Sequence, residues 1–255
     1  MTSFLMGFKK GNMQKSMIEG NTLKLILNFS IPLLLGNLFQ QFYNVIDAAI
    51  VGQTLGSKAL AAVGASSSVQ FLILGFCMGI CQGFAIMVSQ SYGAKRLDEM
   101  QTYIYAGAVW TAITAFVISI LVVVFCADIL HILQVNDEIF NDAYAYLVVI
   151  FAGIPFTLLY NYLSAILRAI GDSKTPFFFL AFSAVLNIGL DFFCILVLKW
   201  GCAGAAIATI FAQAVSGILC LLLIAFKVNV LHVPMFDQLM NTNYSPELIN
   251  AKGRI

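Results

Sequence analysis

Residues 175–198 of the chain read TPFFFLAFSAVLNIGLDFFCILVL and contain a single charged side chain, that of Asp191. As an α-helix rising 1.5 Å per residue, this segment would cross the roughly 30 Å hydrocarbon layer of a membrane. A charge in so apolar a segment is costly unless it has a partner, faces a cavity or takes up a proton. The stretch therefore predicts a membrane-spanning helix that carries a functional acid.

The rest of the chain repeats this pattern. Of the 255 residues, 61% are apolar and only 10% are charged, whereas soluble domains carry about 25% charged residues. The mean hydropathy is +0.93. Apart from the buried acids, the charges leave six apolar segments of more than roughly 20 residues: 25–57, 59–94, 100–127, 143–167, 175–198 and 200–226. We predict an all-α membrane protein with six transmembrane helices.

The Lys and Arg residues are distributed unevenly between the two sides of this predicted bundle. With the N-terminus in the cytoplasm, eleven of the 13 lie at inner ends or tails, and only Lys58 and Lys199 lie outside. Cytoplasmic loops are generally enriched in these residues, so both termini are predicted to be cytoplasmic. The first 21 residues lack the pattern of a cleaved signal peptide and are interpreted as a cytoplasmic tail.

The same composition argues against several other classes of protein. A net charge of +1 offers no basic face for nucleic acid. The six cysteines all lie in apolar segments, which indicates buried thiols and not a secreted disulfide framework. Cys77 and Cys81 are one helical turn apart but have too few neighbouring ligands to predict a metal site.

Two acids interrupt the apolar segments, Asp47 in the first and Asp191 in the fifth, and no Lys or Arg lies within any segment to pair with them. Asp191 follows Pro176 by 15 residues, roughly 22 Å along a helix. Thr209 is eight residues past Gly201 on a helix that returns from the outer side. We expect these groups to share the outer half of the membrane.

Asn187 lies one turn before Asp191 and therefore on the same helix face. Two carboxylates, an amide oxygen and a hydroxyl form an all-oxygen cluster of the kind that hard cations prefer. A proton is the alternative occupant, since burial favours the neutral carboxyl group. Two simpler readings stay open: Asp47 can face a water-filled vestibule, and Asn187 and Thr209 can serve as hydrogen bonds between helices.

Two further patterns concern helix packing. Gly75, Gly79 and Gly83 recur every four residues and predict a smooth ridge against which a neighbouring helix packs closely. Replacing Gly79 by Leu would then lower the yield of folded protein. Pro32 and Pro155 lie inside the first and fourth segments, where each removes a backbone hydrogen bond and permits a kink.

Several motifs in order resemble one transporter family. They are IPLLLGNLFQQFYNVIDAAIVGQTLGSKALAAVGAS from Ile31, GFAIMVSQSYGAKR ending at Arg96, RAIGDSKTP from Arg168, and NIGLD ending at Asp191. Together they resemble the N-terminal half of a bacterial multidrug and toxic compound extrusion (MATE) transporter of the DinF-like branch. The resemblance runs from about Glu19 to Phe226, and its specificity comes from the combination of motifs.

The resemblance implies a twelve-helix antiporter of two six-helix lobes, located in the bacterial cytoplasmic membrane. Such a protein is not an enzyme and needs no cofactor; it exports organic, often cationic or amphipathic, xenobiotics in exchange for H⁺ or Na⁺. By matching motifs, Asp47, Asn187, Asp191 and Thr209 would form the cation-binding site. Pro32 would be the hinge of the first helix.

The chain departs from this family in length. Only 29 residues follow Phe226, without a seventh apolar segment. The expected organisation is a cytoplasmic tail at 1–21, a six-helix lobe at 22–226, and a C-terminal tail or truncated linker at 227–255. Transport by two lobes would then require a missing C-terminal lobe or a homodimer, which is feasible because both lobes of such transporters have the same orientation.

The same residues also bear on other possible functions. Intramembrane aspartyl proteases also carry two aspartates, within Tyr-Asp and Gly-x-Gly-Asp motifs, but here Ile46 precedes Asp47 and Leu190 precedes Asp191. A rhomboid-like serine protease needs a buried His, whereas His131 and His232 lie in predicted loops. A lipid-linked oligosaccharide flippase of the same superfamily and an inactive transporter fragment remain alternatives, although a flippase would favour basic residues in its cavity.

Overall fold

The computed structural model describes residues 22–227, and the regular structure in this range is helical. In chain order the helices are α1 Thr22–Leu55, α2 Ser57–Gly93, α3 Leu97–Val124, α4 Cys126–Ile132, α5 Asp137–Ala152, α6 Ile154–Ala169, α7 Lys174–Phe192 and α8 Gly201–Lys227. Five of them are long and apolar enough to span a membrane, and α5 with α6 makes a sixth span. The predicted all-α membrane fold is confirmed. The tail predicted at 1–21 and nearly all of 227–255 lie outside the described residues.

The fourth span is bent by 49° where α5 meets α6. Pro155 has no backbone N–H, so the carbonyl of Phe151, four residues earlier, loses its helical partner. Ser119 of α3 compensates, because its hydroxyl donates to the Phe151 carbonyl at 2.7 Å. The predicted kink at Pro155 is thus confirmed. By contrast, α1 continues through Pro32 as one helix.

The bent span lies at the centre of the lobe. Helices α5 and α6 pack against α2, α3 and α8. The largest fully buried side chains of the span are Leu147, Ile150, Phe151, Ile154, Leu158, Ile166 and Leu167. Close packing of this kind makes the bend a fixed part of the core, since interiors leave little space for rearrangement. The second, third and sixth spans pack around it, whereas α1 packs mainly against α7 and α2.

The cysteines agree with the sequence-based prediction, whereas His131, which was predicted to lie in a loop, is in helix α4. All six cysteines are free and buried.

Gly56, with a φ of +90°, makes the tight turn between α1 and α2, a conformation that glycine adopts at little cost. Lys58 beyond this turn forms an ion pair of 2.8 Å with Glu138 at the start of α5. The α1–α2 turn and the start of α5 therefore lie at the same end of the lobe.

The glycine ridge of α2 behaves differently from the prediction. Gly75, Gly79 and Gly83 are exposed, and a Cβ atom placed on any of them would meet nothing within 4 Å in the described part of the chain. The prediction that this ridge packs against a neighbouring helix is therefore wrong for the contacts within residues 22–227. The three glycines do share one face of α2, but this face points away from the rest of the lobe.

Candidate functional site

The two buried acids of the sequence are brought together by the contact between α1 and α7. Asp47 is 9% exposed and Asp191 is fully buried. Their carboxyl groups lie close enough to interact with each other. Because α1 is otherwise the most exposed of the spanning helices, this polar contact is a main point at which it is held to the rest of the lobe.

Asn187 joins this pair to α8. Its side-chain amide lies 3.2 Å from the hydroxyl of Thr209. With its nitrogen towards Asp191, the amide donates to Asp191 Oδ2 at 2.9 Å, and its oxygen accepts from the backbone N–H of Thr209 at 3.0 Å. The four polar residues singled out in the sequence therefore form one cluster across α1, α7 and α8.

Two tyrosines complete the cluster, and sequence reasoning missed both. The Tyr43 hydroxyl, one turn before Asp47 on α1, donates to Thr209 Oγ1 at 3.3 Å. Tyr146 of α5 lies close enough to interact with both aspartates and with Gln70 of α2. The spacing of Tyr43 from Asp47 was a usable signal, whereas nothing in the sequence placed Tyr146 beside the acids.

The acid cluster has no compensating positive charge among the described residues. Oδ1 of Asp47 and Oδ1 of Asp191 are buried and accept no hydrogen bond from the described residues. Within residues 22–227 the ion pairs are Lys58–Glu138 and Arg96–Glu99, so neither aspartate has a basic partner there. Two adjacent carboxyl groups in an apolar medium cannot both be ionised without a compensating positive charge. The arrangement is therefore suited to bind a proton or a small cation.

The backbone after Asp191 is irregular. Helix α7 ends at Phe192, and residues Phe193–Val197 form a π-helical turn before the chain reverses into α8. Such widened turns are rare and occur often at functional sites. The turn lies immediately beside the acid pair, so it helps to set the position of Asp191 relative to Thr209.

Pro32, the predicted hinge, lies away from this cluster. It precedes Asp47 by 15 residues on α1, roughly 22 Å along the helix axis. There it lines a small cleft with Gly36, Tyr160 and Arg168 at the opposite end of the lobe.

Comparison with known proteins places this arrangement in a family. The MatE family model matches residues 32–193. A probable multidrug resistance protein of Bacillus subtilis, YpnP, is 37% identical over 200 residues, covering 78% of this chain and 44% of that protein. An FAD transporter of Shewanella oneidensis is 25% identical over 227 residues, covering 87% of this chain and 50% of that protein. The chain thus spans about half the length of these relatives.

Solved structures show the same fold. An outward-facing multidrug resistance MATE family transporter of the MOP superfamily superposes with a TM-score of 0.82 at 24% identity, covering 95% of this chain and 53% of that one. A MATE structure in a bent conformation superposes with a TM-score of 0.77 at 25% identity, covering 90% of this chain and 50% of that one. The chain therefore belongs to the MatE family of multi-pass transporters of the bacterial cell membrane.

Proposed function

We propose that this chain forms the N-terminal lobe of an antiporter that exports small organic compounds in exchange for H⁺ or Na⁺. The observation that carries the proposal is the pair of buried carboxyl groups of Asp47 and Asp191, which interact with each other and have no basic partner in the described residues. A salt bridge that merely holds the fold would include a Lys or Arg. This pair instead requires a mobile positive charge.

Both candidate ions satisfy the charge balance. A proton shared by the two carboxyl groups removes the repulsion between them. A sodium ion would use the unpartnered oxygens of Asp47 and Asp191 and the Thr209 hydroxyl, and it would require the Asn187 amide to turn its oxygen towards Asp191. Such an all-oxygen ligand set is suited to hard cations. Transport driven by a H⁺ gradient or by a Na⁺ gradient distinguishes the two ions.

We place the coupling step in α1. This helix is held to α7 and α8 by the Asp47–Asp191 contact and by the bond from Tyr43 to Thr209. Binding or release of the cation changes the repulsion between the carboxyl groups, and with it the attachment of α1. Pro32, which interrupts the hydrogen bonds of α1 near its other end, gives the helix a point at which to respond.

The exposed face of α1 is suited to contact a substrate. Asn37, Gln41 and Asn44 recur along it and are exposed, with Asn44 donating to Gln41 at 3.3 Å. Amides at this depth are unfavourable against lipid tails and favour a water-filled cavity. We infer that this amide stripe forms one wall of the substrate cavity. Relatives named for multidrug resistance and for FAD transport suggest small organic substrates, and cationic or amphipathic compounds are the class we expect.

A single lobe supplies only one wall, so we further propose that a second lobe packs against α1 and the glycine ridge of α2. It is either a C-terminal lobe or a second copy of this chain. With both termini on the cytoplasmic side, as the positive residues predict, two copies in tandem would have the same orientation. The DinF-like assignment remains a prediction.

The test is transport by everted vesicles that contain this chain alone or two copies joined in tandem. We expect ethidium to accumulate inside the vesicles when H⁺ or Na⁺ is more concentrated inside the vesicles than outside, so that the ion leaves as the dye enters. Vesicles from cells without the gene provide the baseline. Accumulation that persists after both gradients are collapsed would contradict cation coupling. If the tandem protein folds and accumulates no more dye than the baseline, a pair of identical lobes is contradicted as the transporting unit.

The glycine ridge gives a separate prediction. Because Gly79 is exposed within the described lobe, we expect Gly79→Leu to change the unfolding free energy of the purified chain by no more than about 1 kcal/mol. We expect the same variant to lower ethidium accumulation by the tandem protein at least about tenfold, since a leucine would separate the two lobes. Ala112→Leu, on the exposed face of α3, is the control. A loss of thermal stability in Gly79→Leu would instead support the first prediction, that the glycine ridge packs against a helix within the lobe.

A further inference from the structure

A second polar site lies at the end of the lobe where α6 ends and α7 begins. A cleft of about 60 Å³ opens there between α1, α6 and the start of α7, lined by Gly36, Asn37, Arg168, Ser173 and Pro176 among others. We call it the Arg168 cleft. Asn37 precedes Asp47 by ten residues on α1, roughly 15 Å along the axis, so the cleft is separate from the acid cluster.

Arg168 is the unusual member of the cleft. It lies in the last turn of α6 and is half-buried, yet it forms no ion pair with any described residue. The nearest acid in sequence, Asp172, is engaged elsewhere, because its Oδ1 accepts from the backbone N–H groups of Lys174 and Thr175 at 3.1 and 3.0 Å. The guanidinium group therefore retains donors that no carboxylate satisfies. A partly buried charge in this state is costly unless something else binds it.

The chemistry of the lining selects an anion. Arg168, Asn37 and Ser173 all offer hydrogen-bond donors, and no acidic residue lines the cleft. Since a single water needs roughly 10–15 Å³ by the same measure, the 60 Å³ of the cleft accommodates a group of a few heavy atoms. The planar fork of an arginine matches two oxygens of a phosphate group and holds them with charge-assisted hydrogen bonds.

The position of the cleft is consistent with this ligand. Gly36 contributes no side chain to the space, and Asn37 at the mouth is exposed, so a group can enter from the outer face of α1. Arg168 is three residues from Gly171 in the α6–α7 loop, at the level where a spanning helix ends and lipid headgroups begin. Phosphate is available there both from lipids and from solutes.

We propose that the Arg168 cleft binds a phosphate group, carried by a free phosphate compound or by a lipid headgroup. Arg168 holds two of its oxygens, and Asn37 and Ser173 donate to it from the sides. The cleft shares Asn37 with the amide stripe, but Arg168 and Ser173 belong neither to the stripe nor to the acid cluster. Phosphate binding that depends on Arg168 can therefore be present if the proposed function fails and absent if that function holds.

The experiment uses the purified full chain in mild detergent with two probes. Equilibrium dialysis with radiolabelled inorganic phosphate measures the free-phosphate arm. Native mass spectrometry with phosphatidylglycerol, compared with diacylglycerol, which lacks phosphate, measures the lipid arm. We expect at least one phosphate probe to bind, and Arg168→Gln to weaken it about tenfold or more. Arg96→Gln, which removes an exposed arginine paired with Glu99, should bind as the unmodified chain does.

The outcomes separate the sources and can overturn the proposal. Phosphate binding that depends on Arg168 assigns a solute site; retention of phosphatidylglycerol alone, again dependent on Arg168, assigns a lipid site. Equal binding of either probe to the unmodified chain and to Arg168→Gln, or binding of neither, overturns the proposal. If Arg168→Gln does not fold, Arg168→Lys and Asn37→Ala replace it. Severalfold weaker binding in both supports the site, and unchanged affinity in both overturns it.

Discussion

Replacing Asp191 by Asn is expected to abolish cation-coupled export and to lower the affinity for the coupling cation by at least about 100-fold. The substitution keeps the size of the side chain but removes one of the two carboxyl groups of the cluster. The cation loses one of its two anionic partners, and removing one side of a buried contact between opposite charges costs about 3 kcal/mol or more. Each 1.4 kcal/mol is a factor of about ten in affinity. Because Asp191 is fully buried, water cannot replace the missing ligand.

The measurement combines cation binding to the purified protein with dye accumulation in vesicles. Binding is followed with radiolabelled sodium and, separately, by proton release at fixed pH, which also decides between the two ions. Asp142→Asn makes the same chemical change at an exposed position on α5 and should leave both readouts unchanged. Asp47→Asn should behave like Asp191→Asn. Coupled export that survives in a folded Asp191→Asn protein would remove the acid pair from the mechanism.

Much of the fold followed from one physical constraint, the length of apolar chain needed to cross a membrane. Charged residues are excluded from that length, so the limits of α2, α3 and α8 could be predicted to within a few residues. A bend of the fourth span could also be anticipated, because Pro155 removes a backbone donor, but the same loss at Pro32 leaves α1 as one helix. The direction of the bend could not be anticipated, since it depends on how Ser119 and the buried side chains around Phe151 pack.

The candidate site was accessible to the same reasoning only in part. Asp47 and Asp191 were conspicuous because each is an acid in an apolar segment, and Asn187 followed from helical periodicity. Tyr146 has no such signal: an aromatic residue within an apolar segment resembles many others, and its place beside the acids results from the packing of α5. The glycines of α2 show the converse error, since their spacing indicates a close approach without saying which helix approaches.

The bend itself gives the second large effect. Gly153→Ala is expected to destabilise the lobe by about 1–3 kcal/mol, the usual cost of overpacking a core. A Cβ at this position would collide with three side-chain atoms of Ile210 on α8. The backbone of Gly153, with φ −82° and ψ −4°, is open to any residue, so the cost arises from the collision and not from strain. Thermal unfolding in detergent measures it.

A double-mutant cycle identifies the cause of this effect. In an Ile210→Ala background the colliding atoms are gone, so Gly153→Ala should cost close to nothing, and the two substitutions should show a coupling of at least about 1 kcal/mol. Gly75→Ala, on the exposed ridge of α2 where a Cβ meets nothing within 4 Å, makes the same change and should keep or slightly raise stability. Additive costs in the cycle would mean that Gly153 is required for the conformation of the bend and not for the contact between the fourth and sixth spans.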